Sequence, residues 1–82
     1  METLTSLKNP KVMAWRSLKD KKGRDEQHLF LVEGVRMVRE ALSSSFSVSA
    51  LLIREDYQPG FPVPEGIPAF CLPEHVFRSV CQ

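Results

Sequence analysis

A small three-layer α/β/α sandwich with a mainly parallel sheet is the fold class this sequence predicts, on three observations. Leu29-Phe30-Leu31-Val32 is an unbroken apolar run, the pattern of a strand covered on both faces; a strand wet on one side would alternate. Gly34 follows at once and opens a helical pattern, so strand, turn and helix succeed one another within about fifteen residues, the start of a βαβ unit. The full order reads helix, strand, helix, strand, loop, strand, helix, which lays helices against a parallel sheet.

Each element has its own warrant. Asn9-Pro10 reads as a helix start: Asn9 can cap free backbone N–H groups, and Pro10 takes the first helical position, where its missing N–H costs nothing. Val12, Trp15 and Leu18 recur every three residues as one apolar stripe, bordered by Lys11, Lys19 and Lys22. The helix is expected to fade near Lys21 to Gly23, with glycine permitting the exit turn. In the second helix Val35, Val38, Ala41 and Leu42 form the buried side, Arg36 and Glu40 pair on the open side, and the serines at 43 to 45 end it. Val48 to Ile53 and Ala69 to Leu72 are the remaining strands. Between them Pro59, Pro62, Pro64, Pro68, Gly60 and Gly66 predict an irregular surface loop. Pro73 or Glu74 starts a last helix with Val76, Phe77 and Val80 inward.

The chain has room for one domain, residues 1–82, because a chain this short buries only about 60 to 65 per cent of its unfolded surface. At 43% hydrophobic and 26% charged it is neither disordered nor fibrous. Cys71 and Cys81 make no disulfide framework and have no metal-finger spacing, which fits a reducing cytosol. With no signal-peptide pattern and no membrane-length apolar run, the expectation is a soluble, cytoplasmic protein without a membrane partner. A net charge of +1 conceals segregation. Met1 to Arg24 carries seven basic residues against two acidic ones, and the rest carries four against eight. Such an end steers a polyanion.

The basic segment is accordingly the candidate site. Lysines and arginines on a helix and its exit loop neutralise phosphates and release counterions, although a solvated helix face looks the same in sequence. Arg24, after a glycine at a loop end, is placed for a bidentate phosphate contact, unless Asp25 or Glu26 absorbs it. Trp15 reads as core, with base stacking the alternative. Glu33-Gly34 falls at a strand's C-terminal end, where α/β folds place ligand-binding groups; charge complementarity at a helix N-terminus competes with that reading. His28 and His75 lack partners for metal binding or nucleophilic catalysis. Neither G-x-G-x-x-G, nor G-x-x-x-x-G-K-[ST], nor a paired acid motif is present, so no catalytic constellation assembles.

The runs Leu4-Thr5-Ser6-Leu7-Lys8-Asn9-Pro10-Lys11-Val12, Leu18-Lys19-Asp20-Lys21-Lys22-Gly23-Arg24, and Phe30-Leu31-Val32-Glu33-Gly34-Val35-Arg36 with Glu40-Ala41-Leu42 resemble the N-terminal substrate-binding domain of SpoU-type (TrmH-family) RNA 2′-O-ribose methyltransferases. The resemblance spans the chain except from Gln58 to Pro68, where only topology agrees. It implies a ribosomal-protein-like α/β/α fold that presents structured RNA, commonly ribosomal RNA, to a larger C-terminal SPOUT domain. That domain carries the knot, the S-adenosylmethionine pocket, the catalytic residues and the homodimer interface, all absent from residues 1–82. Carried over by position, Asn9, Lys11, Lys22, Arg24, Glu33 and Arg36 face RNA or shape that face; Lys8, Arg16 and Lys19 join them on charge alone.

The expectation is therefore an RNA-binding domain that holds no cofactor or metal and does not turn over by itself, serving a parent methyltransferase. Two rivals stand beside it: a complete small enzyme using Glu33 as base, and a protein-interaction module whose basic loop meets an acidic partner.

Overall fold

The computed structural model describes residues 1–58 and 60–81; Pro59, one of the loop prolines, and Gln82 lie outside the described residues. Helix α1 (Pro10–Arg16) starts as its cap predicts, with Asn9 Oδ1 accepting the Lys11 backbone N–H at 2.9 Å and Pro10 in the first turn. Strands β1 (Glu2–Thr3), β2 (Leu51–Arg54) and β3 (Ala69–Leu72) make a wholly parallel sheet in the order β1-β3-β2, with Leu51 opposite Ala69 and Glu2 opposite Phe70. The parallel α/β class predicted from sequence holds.

The core lies between the sheet and two helices. Leu4, Val12 on α1, Phe70 and Leu72 on β3, and Val76 and Val80 on the last helix are buried together, with Trp15, Leu52 and Phe77 packed against them. Trp15 tilts onto Phe70 with centroids 5.1 Å apart, so it acts as packing. The last helix follows β3 directly after Pro73, and its Phe77 and Val76 N–H groups bond to the Pro73 carbonyl.

Three features depart from the sequence reading. The first helix ends at Arg16. A 3-10 turn, Ser17–Lys19, follows, and then helix α2 (Lys21–Gln27), which has no apolar stripe. Gly23 is consequently no exit turn but a buried residue within α2, pressed against the Ser17 carbonyl; His28, at φ 57°, makes the left-handed exit instead. Next, Leu29–Val32 forms no strand. The run has no regular secondary structure, so Glu33 does not close a strand, and the side chains of the run help line an apolar cavity of about 460 Å³ along β2. Lastly, β1 pairs with β3 although two polar residues offer no strand pattern.

Helix α3 (Val35–Ser43) begins after Gly34, whose φ of 92° is a conformation that favours glycine, and forms the predicted Arg36–Glu40 pair at 3.7 Å. Of the side expected to be buried, Val38, Ala41 and Leu42 are half-buried beside the same cavity, whereas Val35 is 39% exposed, so the helix is covered less than its apolar pattern predicts. The final helix is α4 (Glu74–Val80). The loop from 56 to 68 has no regular element among its described residues, as its prolines predict. No helix among the described residues is long and apolar enough to cross a membrane.

Candidate nucleic-acid interface

The basic segment is shaped by a hydrogen-bonded corner. Because α1 stops short, the Ala14, Leu18 and Lys19 carbonyls are left for side chains to satisfy. Arg24 Nη1 donates to the Leu18 and Lys19 carbonyls at 3.0 and 2.9 Å, and Gln27 Nε2 donates to the Ala14 carbonyl at 2.8 Å and to Ser17 Oγ at 2.7 Å. The buried Gly23 lets α2 approach closely enough for both contacts.

That corner sorts the expected cations. Lys21 lies 2.6 Å from Asp25 and Lys22 3.9 Å from Glu26, exposed i,i+4 pairs that hold each lysine only weakly. Arg24 is half-buried and spends Nη1 on the backbone, which makes it a support for the turn. Arg36 pairs with Glu40 on α3, which makes no extensive contact with another helix or strand. Lys8, Lys11, Arg16 and Lys19 are exposed and have no ion-pair partner among the described residues. Lys8 sits in the loop before α1, and Asn9 is committed to its cap. The Lys11 stem borders the core as predicted, its ammonium 5.9 Å from the Phe70 ring centroid.

Lys19, Arg24 and Glu33 come together at one open cleft of about 430 Å³, floored by Leu18, Leu31 and Val80 and flanked by Phe30. Sequence reasoning did not assign Phe30 to the site, since an apolar run reads as buried strand; 58% of it is exposed. Its ring meets Phe46 edge to face with centroids 5.7 Å apart, a second exposed aromatic. No local signal marks this pair, because the contact joins residues on opposite sides of α3.

The Cys81 thiol reports the field beside this cleft. Burial pushes it from its ordinary 9.0 up to about 11, Glu33's negative charge adds to the rise, and Lys19's positive charge opposes it. Between pH 9 and 11 the unfolded chain therefore releases a proton that the folded chain keeps, so stability present below pH 9 declines through that window. Urea midpoints measured from pH 8 to 10.5 are expected to show a downward slope that Cys81→Ala reduces. An unchanged slope in the variant contradicts the raised thiol.

The fold defines a class, a small α/β domain with a three-stranded parallel sheet and an open, charged cleft edged by an exposed aromatic residue. The chain belongs to the MRM3-like substrate binding domain family, whose model matches residues 9–82. It is 34% identical over 82 residues to the 23S rRNA (guanosine(2553)-2'-O)-methyltransferase RlmP of Bacillus subtilis (strain 168), a match covering 100% of this chain and 33% of that protein. The chain thus spans a third of the length of the curated relative it matches. Both matches bear out the family resemblance carried by the sequence motifs.

Proposed function

We propose that this chain binds structured ribosomal RNA and presents it to the catalytic part of a longer ribose 2′-O-methyltransferase, without catalysing transfer itself. The observation that carries this reading is the set of cations without an ion-pair partner among the described residues, Lys8, Lys11, Arg16 and Lys19, on one N-terminal segment of a substrate-binding family member. Cations that hold no carboxylate partner have no surface pair to break before they displace counterions from RNA. Lys22, Arg24 and Arg36 support the surface, and Asn9 fixes the start of its helix. In this reading S-adenosylmethionine, the methyl donor, is held by the parent's SPOUT domain, across whose interface the parent dimerises in the cytoplasm. The activity on 23S rRNA that the relative's name states supports the choice of RNA.

Fluorescence anisotropy with a structured ribosomal RNA hairpin across a salt series tests the reading. Wild type is expected to weaken steeply with salt. Lys11→Glu/Lys19→Glu is expected to bind roughly a hundredfold more weakly at low salt, with the log–log slope reduced by about two. Salt-insensitive binding, equal affinity for an acidic polypeptide, or an unaltered double variant overturns it.

A further inference from the structure

We propose that the cleft between the 3-10 turn and Glu33 holds one unpaired guanine base of the bound RNA, with Glu33 as the acceptor that selects it and Phe30 as its stacking surface. The inference rests on the RNA-binding reading and adds base selection to it.

The chemistry of the walls is the starting point. A carboxylate among Lys19 and Arg24 lowers the attraction of the cleft for phosphate, so it is poorly suited to a purely backbone-binding surface. Glu33 is exposed and has no hydrogen bond or ion pair to another side chain among the described residues, although two cations line the same cleft. It lines the cleft together with Val80, the last residue of α4. An ionised carboxylate offers two acceptor oxygens and no donor. Of the four RNA bases, only guanine presents two adjacent donors, N1–H and N2–H, on its Watson–Crick edge. Adenine and cytosine set a ring acceptor beside their amino group, and uracil flanks its single N–H with carbonyls; each turns a lone pair toward the carboxylate.

The rest of the cleft suits a base. Unpaired RNA bases are recognised by stacking on aromatic side chains combined with hydrogen bonds to their edges. An edge-to-face partner occupies at most one face of a ring, so the contact with Phe46 leaves Phe30 a face to offer. Half-buried Leu31 supplies the accessible apolar floor, backed by the buried Leu18 and Val80, and the exposed Lys19 can meet the phosphate of the same nucleotide.

The test uses fluorescein-labelled RNA hairpins that differ at one unpaired loop position, carrying guanine, inosine, adenine or cytosine. Anisotropy is measured with the 82-residue chain, Glu33→Gln and Phe30→Leu, each checked for folding by circular dichroism. Guanine is expected to bind roughly tenfold tighter than adenine or cytosine, with inosine, which lacks N2–H, in between. Glu33→Gln is expected to erase the preference while keeping salt-sensitive binding, and Phe30→Leu to weaken all four hairpins several-fold. Equal affinity for the four bases, or a guanine preference that survives Glu33→Gln, overturns base selection while RNA binding stands. No binding to any hairpin at low salt overturns both readings.

Discussion

Gly23→Ala is expected to destabilise the domain by about 2 kcal/mol and to disorganise the basic corner, the reverse of what a glycine within a helix ordinarily predicts. In a solvated helix alanine would stabilise by up to about 1 kcal/mol through propensity alone. Here the new methyl group would overlap the Ser17 carbonyl oxygen and lie 2.7 Å from the carbonyl carbon. The obstacle is backbone, which cannot rotate aside as a side chain would. Relief requires α2 to move off the 3-10 turn, stretching the Arg24 bonds to the Leu18 and Lys19 carbonyls and the Gln27 bonds to Ala14 and Ser17. Stability for a chain this long is only about 4 to 12 kcal/mol, so the loss is a large share of it. Thermal melting is expected about 8 to 16 °C lower. RNA affinity is expected to fall even at temperatures where the variant is folded, because Lys19 stands on the displaced turn. A melting temperature equal to or above wild type would mean that α2 does not press on Ser17.

The same corner shows where legibility in the sequence ended. The cap at Asn9, the start of α3 after Gly34, the Arg36–Glu40 pair and the strands before and after the proline-rich loop all follow from local chemistry, and each formed within a few residues of expectation. Lys21–Gln27 was invisible as a helix because it has no apolar stripe; its support comes from the Lys21–Asp25 and Lys22–Glu26 pairs and from Gln27 reaching back thirteen residues. Leu29–Val32 carries the composition of a buried strand, but composition cannot supply a ladder partner, and the run lines a cavity instead. Charge segregation located the basic segment. Which of its cations remain free depends on side-chain pairing, and the cleft joins residues 18 to 33 with Val80, a meeting that only the tertiary fold brings about.

Leu72→Ala is expected to have the largest effect of any single truncation in the core, a loss of about 3 to 4 kcal/mol. Leu72 is fully buried at the end of β3, the strand that pairs with both β1 and β2, and belongs to the cluster that joins α1 to α4. Removing its branched end sacrifices the transfer free energy of the lost carbons. It also leaves a void that the surrounding elements close only in part, because two parallel ladders hold β3 in register opposite Arg54 and beside Glu2–Thr3. The neighbouring face cannot collapse into the void without breaking those ladders, which keeps the cost near the middle of the range for buried leucines. Urea unfolding followed by far-ultraviolet circular dichroism is expected to show a lower midpoint with an unchanged denaturant slope, the pattern of lost packing in a two-state domain. Leu7→Ala, at a position 40% exposed, is the matched control and is expected to change stability by less than about 1 kcal/mol. Equal shifts for the two leucines would place the core elsewhere. A changed slope for Leu72→Ala alone would mean that β3 holds the two sides of the domain together and that its loss lets one side unfold before the other.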